Sequence, residues 1–436
     1  MRLISTNGGD RSIAYRDAIF ESMTADGGLY TPRRLDPLPQ STLASFRDSD
    51  FGTISSTLAR HLLVEEFDNE TLDEIVATAL DFPIPLTALA DGIHQLELFH
   101  GPTLAFKDVG ARFMARTMRA CNRTDERLTV LVATSGDTGS AVADAFLGLE
   151  NTRIIVLFPD GQVSDLQERQ FTTLGENVRA LAVQGTFDDC QKLAKTAFAD
   201  GDLRRRVPLT SANSINIGRL LPQVFYYFGA WAQLPPSDRD LVFCTPSGNF
   251  GNLTAGLMAK RLGLPVDGFV AATNINDVVP AYLASGSYRP RPSERTISNA
   301  MDVGEPSNLA RIIHLYGGDL DHLRGDVSAF SATDEETRTC IREVYDTTGR
   351  ILDPHTAVGW FGLARELAER QTPTDAILIA TAHPAKFRDV VEPVIGAKIE
   401  LPERLAVHLE KERRVTPIGT AYEELRSVLL EDRPAF

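Results

Sequence analysis

From about residue 94 onward the chain repeats one pattern: a short apolar run, a turn, and a segment with helical spacing. The apolar runs are rich in β-branched residues, which is typical of strands buried on both faces. The six clearest runs are Leu128–Ala133, Arg153–Phe158, Asn177–Val183, Leu241–Thr245, Gly268–Ala272 and Ala376–Ala380. This alternation predicts an α/β fold in which crossover helices join parallel strands.

The chain has 436 residues, which is too long for one small domain, so we expect several units. The segments Ser41–Leu63 and Asn69–Leu80 carry apolar residues at helical spacing and predict a mostly helical N-terminal lobe. An amphipathic stretch at Ala421–Leu430 predicts a surface helix near the end of the chain. The predicted units are residues 1–83 (N-terminal helical lobe), 84–230 (smaller α/β domain), 231–400 (larger α/β domain) and 401–436 (C-terminal surface segment).

The composition excludes several classes of protein. A formal net charge of -15 opposes an extended nucleic-acid surface, so an anionic ligand must be held by a local cluster. The apolar runs are far too short to span a membrane, and residues 1–10 lack an apolar signal region. Four cysteines lie far apart and form no CxxC pair, which argues against structural zinc or a disulfide framework. We expect a reduced, cytoplasmic protein without a metal.

The segment Thr245–Asn252 (TPSGNFGN) follows a predicted strand and opens a predicted helix. Backbone N–H groups at such a turn converge at the positive end of the helix dipole, where a phosphate binds well. Gly248 and Gly251 allow close approach, while Asn249 and Asn252 tolerate left-handed geometry and can donate hydrogen bonds. The alternative is a helix-entry turn without a ligand, because short glycine patterns recur widely.

A second turn of this kind, Thr134–Gly139 (TSGDTG), follows the strand Leu128–Ala133. Its Ser135 and Thr138 hydroxyls and its N–H groups can hold a carboxylate or a phosphate. The alternative is ordinary capping of the next helix. Two anion-binding turns at the carboxyl ends of parallel strands predict a ligand cleft there.

Lys107 lies in the segment His100–Gly110 (HGPTLAFKDVG), where Thr103 is the predicted N-cap of a helix. A lysine in the first helical turn, beside Phe106, experiences both desolvation and the positive helix end, which favour the neutral amine. A neutral amine is what a Schiff base with an aldehyde requires. The alternative is a solvated surface lysine, which is the ordinary state of a lysine.

The segment Ile379–Lys386 (IATAHPAK) ends a further strand and places Thr381, His383 and Lys386 at its carboxyl end. These side chains can face the same cleft. His383 has no nucleophile to pair with, so we interpret it as a packing or capping residue and assign it no proton transfer.

In this order, the strings GGLYTP, HGPTLAFKD, ATSGDTG, SANSINIGR, PSGNFGN and TAHPAKF resemble the motif set of the longer threonine synthases, from Gly27 to Phe387. The resemblance implies a fold-type II enzyme that depends on pyridoxal 5'-phosphate (PLP), in the structural class of the tryptophan synthase β subunit. It also implies conversion of O-phospho-L-homoserine and water to threonine and phosphate. The implied protein is a monomer or homodimer that binds neither nucleic acid nor a membrane.

The resemblance assigns residues to roles. Lys107 matches the family lysine that carries PLP and acts as the base. Thr381 matches a hydroxyl that faces the pyridine nitrogen. The phosphate loop of the cofactor matches Ser247, Gly248, Asn249, Phe250 and Asn252. The implied substrate-binding residues are Ser135, Thr138, Ser214, Asn216, Arg219, Lys386 and Arg112.

Asp137 departs from the shorter fold-type II relatives, which carry an asparagine at a position that contacts the phenolic oxygen of PLP. A carboxylate there would repel a phenolate, so Asp137 either points elsewhere or is protonated. Three other functions stay open at this point. They are a PLP phospholyase that yields 2-oxobutyrate and ammonia, an oxidoreductase with a dinucleotide at the glycine turns, and an inactive relative that serves as a scaffold.

Overall fold

A computed structural model describes residues 1–9, 11–121 and 127–431 of the chain. Its strands are β1 (Arg2–Ser5), β2 (Ile13–Ala14), β3 (Tyr30–Pro32), β4 (Leu86–Ala90), β5 (Ile93–Glu97), β6 (Leu128–Ala133), β7 (Thr152–Pro159), β8 (Val178–Val183), β9 (Leu209–Ser211), β10 (Asp240–Pro246), β11 (Gly268–Thr273), β12 (Val327–Ser331), β13 (Thr374–Ala380) and β14 (Val415–Ile418). They form three sheets, in the orders β2-β1-β3, β12-β11-β10-β13-β5-β4 and β14-β8-β7-β6-β9.

Helices cover both large sheets. The α-helices are α1 (Tyr15–Glu21), α2 (Gln40–Ser45), α3 (Phe51–Leu63), α4 (Asn69–Ala79), α5 (Lys107–Ala120), α6 (Asp137–Phe146), α7 (Asp165–Thr172), α8 (Phe187–Ala199), α9 (Gly201–Arg206), α10 (Ile217–Leu220), α11 (Gln223–Gln233), α12 (Gly251–Arg261), α13 (Val278–Ser285), α14 (Leu309–Leu315), α15 (Leu320–Asp326), α16 (Asp334–Thr348), α17 (Pro354–Glu369), α18 (Arg388–Ile395), α19 (Glu403–Ala406) and α20 (Tyr422–Leu430). Three short 3-10 turns lie at Phe46–Asp48, Asn299–Met301 and Pro384–Phe387.

The five-stranded sheet is parallel throughout, and the six-stranded sheet is parallel except for the β4–β5 pair. Parallel strands need crossover connections, which the helices between them provide. The central strands of both sheets are buried along almost their whole length. The predicted α/β architecture of two sheets with covering helices is therefore what the chain adopts.

All six predicted strands are present, with bounds that shift by two residues or fewer. The first predicted helix, Ser41–Leu63, is divided at Ser49 and Asp50. Asp50 accepts a hydrogen bond from the Thr53 N–H and so begins α3 as an N-cap. The N-terminal region is helical as expected, but a three-stranded antiparallel sheet supports it.

The sheets divide the chain differently from the predicted units. Strands β4 and β5, at the start of the predicted smaller domain, belong to the six-stranded sheet because β5 pairs with β13. Strand β14, in the predicted surface segment, extends the five-stranded sheet beside β8. Both pairings join segments that are more than 200 residues apart, so local patterning carries no signal for them. The helix predicted at Ala421–Leu430 is α20, which buries Leu425 and Leu429.

No helix in the described part of the chain is long and apolar enough to cross a membrane. Within the same residues, no group of three or more His, Cys, Asp or Glu side chains is placed to hold a metal ion. The four cysteines are buried and form no disulfide with one another.

Candidate active site

A cavity lies where the carboxyl ends of strands from both large sheets meet. It follows β6, β9, β10 and β13, as expected for a ligand site in an open parallel sheet. Residues of five predicted motifs line it: Lys107, Ser135, Thr138, Ser214, Arg219, Ser247, Gly248, Asn249, Phe250, Asn252 and Thr381. The cavity therefore brings the lysine and the phosphate loop, which are about 140 residues apart in sequence, to one place.

The phosphate loop, residues 246–252, is shaped by its own side chains. The Ser247 hydroxyl donates to Asn252 Oδ1 (2.5 Å), and the Asn252 amide donates to the Pro246 carbonyl (2.8 Å). Phe250 is buried and has φ 59°, a left-handed conformation that turns the chain into α12. The N–H groups of residues 248–250 have no acceptor within the described part of the protein. These backbone groups, more than the asparagine side chains, are the free donors of the loop.

Gly248 is required by a close approach. A Cβ at this position would lie 2.6 Å from the Met301 Cα, because the 3-10 turn Asn299–Met301 passes directly over the loop. The same turn reaches the other large sheet, since the Asn299 amide donates to the Ser135 carbonyl (3.2 Å). The turn therefore covers the cavity between the two anion-binding segments.

Lys107 is the first residue of α5, as predicted, but Thr103 is not the N-cap. The Asp108 carboxylate instead reaches back and accepts hydrogen bonds from the Thr103 N–H (2.9 Å) and hydroxyl (2.6 Å). This buried turn fixes the residues before Lys107. The Lys107 amine itself has no hydrogen bond or ion pair with any described residue, and its Nζ lies 5.7 Å from the centre of the Phe106 ring.

The surroundings of Lys107 favour the neutral amine. Burial lowers the pKa of Lys107 to about 8, the Asp137 carboxylate opposes this shift, and the charges of Arg219 and Lys386 lower the pKa further. Desolvation is therefore the main cause, as the sequence predicted. At neutral pH a useful fraction of the amine is unprotonated.

Asp137 is not protonated, which was one of the two arrangements expected from the sequence. It lines the cavity, and it forms a buried ion pair with Lys386 (2.6 Å). Burial acts to raise the pKa of the Asp137 carboxyl, but the Lys386 and Lys107 ammonium groups and a Gln167 hydrogen bond (2.8 Å) outweigh it and lower the pKa. Asp137 is therefore an ionised carboxylate with a permanent partner.

Lys386 was expected to hold the substrate, but two of the three N–H donors of its ammonium group are already used within the protein. It donates to the Thr103 carbonyl (2.8 Å) as well as to Asp137, and the side chain is completely buried. The His383 ring accepts a hydrogen bond from the Ala385 N–H and caps the 3-10 turn that carries Lys386. The capping interpretation of His383 thus agrees with its contacts.

The segment after β9 contributes Ser214 and Arg219. The Ser214 hydroxyl accepts a hydrogen bond from the Asn249 amide of the phosphate loop (2.6 Å). Arg219 is buried, and its Nε atom has no hydrogen-bond partner. Burial lowers the pKa of Arg219 to about 10, so the guanidinium is still charged at neutral pH. A buried cation with an unused donor is suited to an anionic ligand.

Besides Lys386, two further predicted substrate residues do not line the cavity. The Asn216 amide donates to the Ile19 and Ser211 carbonyls (2.8 and 2.9 Å) and so fastens α10 to α1. The Arg112 guanidinium donates to the Ala79 and Thr78 carbonyls at the end of α4. Arg112 is five residues after Lys107, which rotates it about 140° around the helix and directs it away from the cavity.

Several cavity residues were missed in the sequence. His355 lines the cavity, with Nδ1 bonded to Asp353 (2.8 Å) and Nε2 accepting from the Ala300 N–H (3.2 Å). The string Asp-Pro-His-Thr at 353–356 is a helix-start signal that would have placed this histidine at the beginning of α17. No local signal marks Ala300 or Met301, because their turn acquires its position from tertiary packing.

The residues at the cavity fit PLP. An unpaired amine, a loop of unused N–H donors and a guanidinium with an unused Nε–H donor are suited to an aldehyde, a phosphate and an anionic substrate. The Thr381 hydroxyl also has no partner in the described part of the chain, which leaves it available to a ring nitrogen. The donor set is that of a PLP-dependent enzyme of fold type II.

Comparison with known proteins supports this class and narrows it. The family model described as "Pyridoxal-phosphate dependent enzyme" matches residues 84–381. The models for the N terminus and the C-terminal part of threonine synthase match residues 2–80 and 356–429. The chain belongs to the threonine synthase family. The resemblance seen in the ordered motifs is thereby confirmed.

Relatives cover the whole chain. A threonine synthase from Haemophilus influenzae is 43% identical over 435 residues, which is 99% of this chain and 100% of that protein. The crystal structure of threonine synthase from Escherichia coli aligns with a TM-score of 0.94 at 40% identity and covers 99% of this chain and 100% of that chain. A PLP-bound threonine synthase from Brucella melitensis aligns with a TM-score of 0.91 at 35% identity, with 99% of each chain covered.

Proposed function

We propose that this cavity converts O-phospho-L-homoserine and water to L-threonine and phosphate by a β,γ-replacement, with Lys107 as the catalytic base. One observation carries the proposal. The unpaired Lys107 amine and the free N–H groups of residues 248–250 line the same cavity. Membership of the threonine synthase family supports the same reaction.

The cofactor would be held at three points. The Lys107 amine would bind the aldehyde group, and the loop Ser247, Gly248, Asn249, Phe250 and Asn252 would bind the phosphate at the start of α12. Thr381 donates to or accepts from the ring nitrogen as a neutral partner. When bound, PLP supplies an electron sink for the α carbon of the substrate.

Lys107 moves the proton in this proposal. Its amine, with a pKa of about 8, is basic enough to accept a proton from the substrate carbon and still partly unprotonated at neutral pH. The buried turn between Thr103 and Asp108 fixes the helix start, so the amine returns to one position after each transfer. Asp137 and Lys386 stay paired and keep the charge beside it constant.

The anionic groups of the substrate are bound by Arg219, Ser214, Ser135 and Thr138. Arg219 offers an unused N–H donor, and the Ser135 and Thr138 hydroxyls have no partner within the residues that the structure describes. Donors aimed at the leaving phosphate stabilise the charge that develops on it, which lowers the barrier. Lys386 contributes mainly through its charge, since two of its three N–H donors are already used by Asp137 and Thr103.

Product analysis tests the proposal. The purified holoenzyme is incubated with O-phospho-L-homoserine, and threonine, phosphate, 2-oxobutyrate and ammonia are quantified together. We expect threonine and phosphate in equal amounts, and none of either product from the Lys107→Ala variant. Equal release of phosphate, 2-oxobutyrate and ammonia would replace the proposal with a phospholyase, and nicotinamide-dependent turnover would replace it with an oxidoreductase.

We further propose the cytoplasm as the compartment, because the four cysteines form no disulfide with one another, as is usual in a reducing environment. A monomer or a homodimer is the proposed assembly. Sedimentation of the holoenzyme at two protein concentrations distinguishes them.

A further inference from the structure

Arg311, in α14, is a buried cation outside the cavity. Its side chain is 1% exposed, and its guanidinium donates to four oxygens. They are the carbonyls of Tyr30 (2.9 Å), Ser214 (3.0 Å) and Ile215 (2.5 Å) and the side-chain oxygen of Asn308 (2.6 Å). Burial lowers the pKa of Arg311 to about 9, so the group is still charged at neutral pH.

No carboxylate in the described part of the protein pairs with Arg311. Burying a charge without a counter-ion is costly, and an apolar side chain of similar volume fills such a space at least as stably. What an apolar side chain cannot do is hold several carbonyls at fixed angles, which the planar guanidinium does. The contacts of Arg311 therefore point to geometry as its role.

Arg311 connects both substrate-facing and cofactor-facing segments. It fixes the Ser214 and Ile215 backbone directly. Through Asn308 it also fixes the phosphate loop, because the Asn308 amide donates to the Asn249 carbonyl (3.0 Å) and to the Ser214 hydroxyl (3.3 Å). The spacing between Ser214 and Asn249 thus depends on one guanidinium.

The N-terminal region is hydrogen-bonded both to Arg311 and to the segment that contains Ser214. Tyr30 belongs to β3, and a second link runs from Ser22 to the same segment, since its hydroxyl accepts from the Ser211 N–H (2.8 Å) and the Asn216 amide (3.2 Å). Ser22 is 1% exposed and has φ 64°, a positive value that is unusual for serine. A backbone outlier held by such contacts is typical of a segment under functional constraint.

We propose that Arg311 is a positioning residue that sets the spacing between Ser214 and the phosphate loop, and that the N-terminal region controls substrate affinity through it. This inference rests on the proposed function, because Ser214 is taken as a substrate-binding residue.

The test compares two arginines of similar chemistry. Arg47 also donates to two backbone carbonyls, those of Trp231 and Leu234, but it joins the N-terminal region to the end of α11, outside the cavity. The variants are Arg311→Met, Arg311→Lys, Arg47→Met and Arg47→Lys. Each is measured for melting temperature, PLP dissociation constant, kcat and KM. Calorimetric affinity for O-phospho-L-homoserine is measured for the same four changes in a Lys107→Ala background.

For Arg311→Met we expect the substrate dissociation constant to rise at least about tenfold, the loss of roughly one well-formed charged contact. The PLP dissociation constant rises less. Arg311→Lys recovers part of the substrate affinity, because an ammonium reaches fewer of the four oxygens. Arg47→Met lowers the melting temperature without changing substrate affinity by more than about twofold.

The inference is overturned if Arg311→Met and Arg47→Met change substrate affinity by the same factor, or if neither changes it. If Arg311→Met does not fold, Arg311→Lys decides, and a substrate affinity equal to that of the parent overturns the inference. Calorimetry needs no turnover. A parent enzyme that binds the substrate but forms no threonine therefore contradicts the proposed function and leaves this comparison to decide the role of Arg311.

Discussion

Two buried lysines lie side by side at the carboxyl ends of neighbouring strands, and they differ in every contact. The segment that carries Lys107 follows β5, and the segment that carries Lys386 follows β13. The two segments are joined by hydrogen bonds from the Phe106 N–H to the Thr381 carbonyl (2.8 Å) and from the His383 N–H to the Leu104 carbonyl (3.1 Å). Lys386 donates to Asp137 and Thr103, whereas Lys107 donates to nothing in the described part of the chain.

The difference in contacts gives the two lysines different roles: Lys107 has a reactive amine, whereas Lys386 supplies a fixed positive charge. A paired ammonium keeps its proton and its place, so it supplies charge but no chemistry. An unpaired amine that burial makes less basic can react with an aldehyde and exchange protons. Because Lys386 neutralises Asp137, that carboxylate can lie at the cavity without fully opposing the effect of burial on Lys107.

The largest expected effect is a loss of turnover when one of the two lysines, Lys107, is replaced. Lys107→Ala should lower turnover at least about 1,000-fold, because the base and the attachment point of PLP are lost together. The visible absorbance band of lysine-bound PLP should be absent from the Lys107→Ala variant. The melting temperature of this variant should stay close to that of the parent. Lys386→Met should keep the visible band. If Lys386→Met lost the band and Lys107→Ala retained it, the roles would be reversed.

The second-largest expected effect is a loss of folding stability in the Asp137→Asn variant. Removing one partner of a buried ion pair leaves the Lys386 ammonium uncompensated, which costs about 3–5 kcal/mol. Urea unfolding of Asp137→Asn, Lys386→Met and the double variant measures the coupling. The double variant should be more stable than Asp137→Asn alone, and additive losses would show that the pair is not coupled.

The pH dependence of this loss has a definite sign. The folded-state pKa of Asp137 lies below its usual value of 3.8, so its contribution to stability is present above pH 3.8. The difference in unfolding free energy between parent and Asp137→Asn should therefore be constant at neutral pH and shrink as the pH falls through this region. A difference that grew on acidification would contradict an ionised Asp137.

Gly248→Ala should have a smaller effect, which is weaker binding of PLP by the loop that lies across the cavity from Lys107. The new Cβ meets the Met301 backbone at 2.6 Å, and overpacking of this kind costs about 1–3 kcal/mol. We expect a higher PLP dissociation constant, measured by loss of absorbance on dilution. Gly325→Ala, where no atom lies within 4 Å of the new Cβ, is the matched control and should leave PLP binding unchanged.

The smallest effect is a shift in the pH profile of Lys107. The rate at which the cofactor-free chain captures PLP should rise with pH through about 8, as the amine loses its proton, and then level. Asp137 raises the pKa of Lys107, so Asp137→Asn should move the profile to lower pH. Lys386 lowers that pKa, so Lys386→Met should move it to higher pH. Shifts in the opposite directions would contradict the charge arrangement.

The comparison also shows where sequence reasoning stops. Strand positions, the phosphate loop and the place of Lys107 at a helix start could be predicted, because each depends on local patterning and turn chemistry. The two lysines looked alike in sequence, since each follows a short turn after an apolar run. What distinguishes them is Asp137, which comes from the other large sheet and is oriented by Gln167.

Other differences between the sequence predictions and the structure have the same origin. Asn216 and Arg112 are polar residues near a motif, and only the packing of α1 and α4 shows that they bind backbone carbonyls there. The pairing of β5 with β13 and of β14 with β8 is likewise decided by segments distant in the chain. The sequence therefore predicted which segments lie at the candidate site. It did not predict which side chains in those segments are free of hydrogen bonds to the rest of the protein.

Borohydride reduction of the PLP-loaded enzyme, followed by peptide mapping, distinguishes the two lysines most directly. The account predicts one reduced PLP label, on the peptide that contains Lys107, and none on the peptide that contains Lys386. A label on Lys386, or equal labelling of both peptides, would contradict the claim that the unpaired lysine is the one that carries the cofactor.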